Sequence, residues 1–174
     1  SLKEAVTDLG VDVLSFGGTK NGLMFGEAVV FLRPELGREA PFYRKQAAQL
    51  SSKMRFIAVQ FEALLQDDLW LRSARHANAT ARLLAERMAE AGVEITQEVE
   101  GNAVFARLDP EERRALQERF FFYVWNAADS SSTDEKASKD RSSRDEVRWM
   151  TTFDTTEEDV DAFVDALRSV RAAT

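Results

Sequence analysis

A chain of 174 residues, 44% apolar and 30% charged, has the material for one domain or one and a fraction. Its net charge of −7 argues against nucleic acid or an anionic membrane as the main partner, since both need a positive surface. With no cysteine and a single histidine, His76, the chain excludes disulfides, zinc-thiolate sites, iron–sulfur clusters and His-rich metal sites.

"SLKEAVTDLG" reads as the end of a helix, with Leu2, Ala5, Val6 and Leu9 at helical spacing and Gly10 suited to the position after the last turn. "VDVLSF" is predicted as a short buried strand, "GGTKNG" as a turn and "AVVFL" as a second apolar strand ended by Pro34 and Gly37. From Tyr43 the period lengthens. Ala47, Leu50, Met54, Ile57, Phe61, Leu64 and Leu65 predict one long amphipathic helix ending near Gln66. Asp67 or Asp68 is placed to cap a second helix, which carries Leu71, Ala74, Ala77, Ala81, Leu84 and Met88 and stops at Gly92.

"VEITQEV" and "NAVFARL" alternate as strands, Pro110 opens a short helix through Gln117, and "FFFYVW" and "VRWMTTF" are two further strands. Residues 127–146 between these last two have no large apolar side chain and predict a flexible, solvated loop. The closing helix has a capping-box pattern at Thr155 and Glu158, and Val160, Phe163, Val164, Leu167 and Val170 form its apolar face. Two strands cannot bury both faces of their sheet, so the apolar residues of the first two imply further covering elements. No apolar run has the ~18 residues of a membrane span, and no signal-peptide pattern opens the chain, so a cytoplasmic protein without a membrane partner is expected.

Chemistry concentrates on Lys20. Serine-hydrolase, dinucleotide and P-loop glycine patterns are all absent. A lysine between strands is ordinarily a surface turn residue, and Gly-Gly and Asn-Gly are ordinary turn pairs. The functional alternative is an amine that condenses with a carbonyl, which requires a deprotonated lysine and hence an apolar surround. The flanking glycines would let backbone approach a bulky group, and Thr19 offers a hydroxyl to a phosphate oxygen.

"GVDVLSFGGTKNGLMFGEAVVFL" resembles the cofactor-lysine segment of the low-specificity L-threonine aldolases, pyridoxal-phosphate enzymes of the fold-type I aminotransferase superfamily. "RKQAAQLSSKMRFIAVQFEALL" and "FFFYVW…VRWMTTFDTTEEDVDAFV" resemble later segments of that family in the same order. The resemblance implies an α/β fold. Residues 1–40 would be the end of the cofactor-binding large domain, and 41–174 a linking helix and a small α+β domain with helices on a mainly antiparallel sheet.

It further implies that Lys20 forms the Schiff base, that Thr19 lies near the cofactor phosphate and that Arg148 grips the substrate carboxylate. Arg55 would contribute to the cofactor pocket across a subunit interface of a homodimer or homotetramer. The implied activity of the longer parent is cleavage of threonine or another β-hydroxy-α-amino acid to glycine and an aldehyde, with this portion inactive alone. Alternatives are another fold-type I enzyme, such as a β-eliminating lyase or aminotransferase, or a non-catalytic assembly module. His76, among Arg72, Arg75 and Arg82, is read as a helix-face residue, Asp12 as a strand-end hydrogen bonder, and Trp125 and Trp149 as sheet and core residues.

Overall fold

The computed structural model describes residues 1–127 and 144–173, so most of the loop expected over 127–146 lies outside the described residues. Its last two positions, Asp145 and Glu146, instead open a strand. Contacts group the chain into two compact units, Ser1–Arg72 and Ser73–Thr174.

The first unit opens with helix α1 (Leu2–Ala5), which is shorter than the sequence predicts. The chain then turns until Gly10, whose left-handed backbone (φ 80°) suits a residue without Cβ. Strands β1 (Val13–Gly17) and β2 (Glu27–Phe31) pair antiparallel, with Val13 opposite Phe31 and Gly17 opposite Glu27. Neither strand is buried as predicted; every position of both is exposed or half-buried. The reason is the one the pattern anticipated, because a lone ribbon cannot cover both of its faces.

Helix α2 (Ala40–Gln46) and helix α3 (Met54–Leu65) replace the single long helix expected from Tyr43 onward. Ala48 adopts a left-handed conformation (φ 55°), and the Ser51 hydroxyl takes the Lys53 N–H at 3.3 Å. A short polar side chain competing for backbone is the usual reason for a helix to break at serine. Asp67 and Asp68 do not cap the next helix through their side chains. Both have positive φ (48° and 54°) and make the break by backbone conformation.

Helix α4 (Leu69–Glu90) begins in the first unit and runs into the second. In the second unit, β3 (Glu94–Ile95), β4 (Ala103–Leu108), β5 (Tyr123–Asn126) and β6 (Asp145–Met150) form an antiparallel sheet of order β3-β4-β6-β5. Helix α5 (Pro110–Gln117) begins at the predicted proline, and helix α6 (Glu157–Ala173) closes the chain. Alternation fixes which sheet face is covered. Val104, Ala106, Leu108, Val147 and Trp149 are buried against Ala81, Leu84 and Met88 of α4, Leu116 of α5 and Val160, Phe163, Val164 and Leu167 of α6.

Two strands begin or end short of their predicted runs. "VEITQEV" contributes only Glu94–Ile95 to the ladder. In "FFFYVW" the strand starts at Tyr123, because Phe120 and Phe122 turn inward onto Phe163 with ring centroids 4.9 and 6.0 Å away. The α6 cap is shifted by one residue from the predicted Thr155–Glu158 box. Asp159 N–H donates to the Thr156 hydroxyl at 3.1 Å, and Thr156 N–H donates back to the Asp159 carboxylate at 2.9 Å.

Candidate active site

The lysine turn is built by glycines and by one hydroxyl. Thr19, Lys20 and Asn21 form a 3-10 turn between β1 and β2, ended by Gly22 in the left-handed region (φ 112°). Gly18 accepts the N–H groups of Asn21 and Leu23 on its carbonyl at 3.0 and 3.1 Å. Room there is short, since a Cβ would meet Leu23 Cδ1 at 2.1 Å unless the leucine side chain moved. Gly26 N–H donates to the Thr19 hydroxyl at 3.0 Å, closing the turn onto the start of β2.

Side chains from later elements hold the turn in place. Asn21 Nδ2 donates to the Trp70 carbonyl at 2.8 Å, and Met24 N–H donates to Gln60 Oε1 at 3.0 Å. The Phe16 ring stands edge-on to Trp70 with centroids 5.9 Å apart. Lys20 itself is exposed and makes no hydrogen bond or ion pair among the described residues. These residues therefore do not supply the apolar surround that amine chemistry requires.

Arg55, on α3, is also exposed, with its guanidinium carbon 5.1 Å from the ring centre of its neighbour Phe56. Thr19 and Lys20 thus share one turn, Arg55 belongs to the same unit, and Arg148 lies in the other.

Arg148 occupies the middle of β6 on the sheet face opposite the core. Phe105 of β4 and Tyr123 of β5 are its partners on either side. Its guanidinium carbon lies 4.7 Å from the Trp125 ring centre and 5.7 Å from that of Tyr123. Its Nε is buried and has no hydrogen-bond partner among the described residues. The carboxylate on the same strand face, Glu146, is occupied by other donors. Thr96 Oγ1 reaches it at 2.7 Å, and Asn126 Nδ2 also donates to it. The orphaned Arg148 Nε is a donor that an anion from outside the sheet could satisfy.

His76 has a structural partner, its Nε2 lying 2.8 Å from the Thr155 carbonyl oxygen. Asp12 sits at the strand end as expected, its carbonyl accepting Leu32 N–H at 2.9 Å and its carboxylate 3.5 Å from Arg33. Trp149 is a core residue at 3% exposure, whereas Trp125 is half exposed. Sequence reasoning left out Tyr123 and Phe105 as neighbours of Arg148. The available signal was the spacing of Tyr123 and Trp125, two apart on a predicted strand and so able to share a face. Asn21 and Gln60, which fix the lysine turn, left no pattern to read.

These geometries can be set beside known proteins. A solved structure of Leishmania major threonine aldolase superposes with a TM-score of 0.77 at 26% identity, covering 92% of this chain and 43% of that one. Sphingomonas wittichii serine palmitoyltransferase superposes at 0.61 with 16% identity, over 99% of this chain and 42% of that one, a likeness of fold alone. The fold is that of the fold-type I superfamily, with helices packed on an antiparallel sheet in its second unit.

Within that class, the chain belongs with the low-specificity L-threonine aldolases, of which it is a partial-length homologue. The enzyme of that name from Pseudomonas aeruginosa is 51% identical over 118 residues, 67% of this chain and 34% of its own length. The one from a Pseudomonas species is 36% identical over 168 residues, 94% of this chain and 43% of its own. No family model matches the chain. Among the described residues no helix is long and apolar enough to cross a membrane, and no cluster of side chains could hold a metal ion.

Proposed function

We propose that this chain supplies the lysine and the carboxylate-binding arginine of a pyridoxal-phosphate-dependent aldolase that cleaves L-threonine, or another β-hydroxy-α-amino acid, to glycine and an aldehyde. The observation that carries the reading is Lys20. Its amine has no hydrogen bond or ion pair among the described residues, and it stands on a turn fixed at both ends. The neighbouring residues fit the cofactor. Space opens beside Gly22, where a Cβ would meet nothing within 4 Å. The Thr19 hydroxyl uses a lone pair on Gly26 N–H, while the carbonyl facing its own proton is 3.5 Å away, the outer limit of a hydrogen bond. That proton is free to turn to a phosphate oxygen.

When bound, pyridoxal phosphate supplies the conjugated ring that takes up the electron pair of the breaking Cα–Cβ bond. Lys20 holds it through its amine. Arg148 offers a planar fork that receives the substrate carboxylate with parallel N–H bonds, which orients the amino acid. Arg55 adds positive charge at the cofactor pocket of a cytoplasmic homodimer or homotetramer. The apolar surround of the lysine, and the base that takes the proton from the β-hydroxyl, come from outside the described residues. In this reading residues 1–40 are the end of the cofactor-binding large domain, and 41–174 are the linking helix and the small α+β domain.

The test uses a polypeptide carrying this chain at the full length of its relatives. Borohydride reduction with pyridoxal phosphate should leave a stable adduct on the peptide containing Lys20, and Lys20→Ala should abolish it. Acetaldehyde should be released from threonine without pyruvate or ammonia. Reduction that marks a different lysine would end the proposal.

A further inference from the structure

Trp125 holds an unusual place in the sheet. Val124 pairs with Val147 and Asn126 with Glu146, so Trp125 is an extra residue with no counterpart on β6. Such a bulge re-aims the side chain it carries. The re-aimed ring crosses the sheet. Strands β5 and β4 are separated by β6, a span of about 9.5 Å across the two spacings. Yet the Trp125 and Phe105 rings meet edge-to-face with centroids 5.4 Å apart. They close over the strand between them, and that strand presents Arg148, whose guanidinium carbon is 4.7 Å from the Trp125 ring centre.

We propose that Trp125 is a positioning residue for Arg148. Its bulge-directed ring, braced by Phe105, fixes the plane of the guanidinium and so the direction from which a substrate carboxylate is gripped. A long flexible side chain loses rotamer entropy when it is held, and a ring lying against the guanidinium meets that cost before the ligand arrives. Tyr123 flanks the same group from farther away, at 5.7 Å. This inference rests on the reading of Arg148 as the carboxylate receptor.

The experiment titrates the full-length, cofactor-loaded protein with glycine and with 2-aminoethanol, an amine of similar size that lacks the carboxylate, and follows the cofactor absorbance. Trp125→Ala should weaken glycine on the order of tenfold and leave 2-aminoethanol unchanged, while raising KM for threonine more than it lowers kcat. Trp125→Phe, which keeps a ring, should recover most of the loss, and Phe105→Leu should show an intermediate effect. In an Arg148→Ala background, Trp125→Ala should add nothing.

If Trp125→Ala binds glycine as well as the parent while Arg148→Ala does not, the positioning role is refuted and the carboxylate receptor stands. If Arg148→Ala leaves glycine binding unchanged, the receptor reading fails and takes this inference with it. Equal weakening of glycine and 2-aminoethanol marks a general structural role and also refutes it. Should Trp125→Ala not fold, Trp125→Leu, apolar but without a ring, gives the same discrimination.

Discussion

Replacing Gly18 by alanine tests how the lysine turn is held. The backbone of Gly18 is ordinary (φ −104°, ψ −26°), so an alanine there meets no intrinsic strain. Contact is the whole of the effect. The new methyl would stand 2.1 Å from Leu23 Cδ1 and 2.7 Å from Leu23 Cγ, with Phe61 Cε1 at 3.3 Å on another side. Leu23 is only 9% exposed and must retreat by about 1 Å or more. Overpacking of that kind costs about 1–3 kcal/mol.

Native-state hydrogen exchange reads the result locally. Leu23 N–H bonds the Gly18 carbonyl, and Gly26 N–H bonds the Thr19 hydroxyl. A loss of about 2 kcal/mol makes these amides exchange roughly thirtyfold faster when the turn opens. In a Leu23→Ala background the same glycine substitution should lose most of its effect, because the two closest atoms are gone and only the Phe61 contact at 3.3 Å remains. A change below about twofold at both amides, or an undiminished effect without the leucine side chain, would refute the idea that this contact sets the turn.

Two further outcomes concern the second unit. Phe163→Ala should destabilise the chain by about 3–5 kcal/mol in urea denaturation. Its ring is nearly buried and meets Phe120, Phe122 and Trp149 edge-on at 4.9, 6.0 and 5.2 Å. The Asp159 carboxyl is held below its ordinary 3.8 by the Thr156 backbone N–H and then by the Thr156 hydroxyl. A depressed carboxylate contributes stability that is present above its unfolded pKa and lost as pH falls through the folded one. An NMR titration should therefore find Asp159 ionised below the ordinary value, and Thr156→Ala, which keeps the backbone N–H, should move it only part of the way back up and cost about 1 kcal/mol of cap.

Much of the second unit could be read directly because its signals are local. Pro110 starts α5, Gly92 follows α4, and the alternation of "AVFARL" places Val104, Ala106 and Leu108 on the buried face. The errors came where two local patterns compete. Thr155 with Glu158 and Thr156 with Asp159 are both capping boxes, and the tie is broken by a turn that takes the Thr155 hydroxyl as acceptor for Thr152 N–H at 2.8 Å. The apolar period across Ala47, Leu50 and Met54 runs straight through a break made by serine chemistry and one left-handed alanine.

At the candidate site, the turn around Lys20 and Thr19 reads by itself as an ordinary surface turn, and only the resemblance of the whole segment singles these two residues out. The aromatic setting of Arg148 was legible only in part, since the spacing of Tyr123 and Trp125 lets them share a face but the bulge at Trp125 leaves no mark in the composition.

That bulge also bears on strand-to-strand aggregation. Among the described residues β5 lies at the edge of its sheet, the position at which a strand from a neighbouring molecule can add. A flat, regular edge would template strand addition from a neighbouring molecule. With four residues and one irregular step, β5 has no regular row long enough to be copied. Straightening it by deleting Trp125 would remove a ring from Arg148 and at the same time present a sticky seam, coupling loss of ligand orientation to loss of solubility.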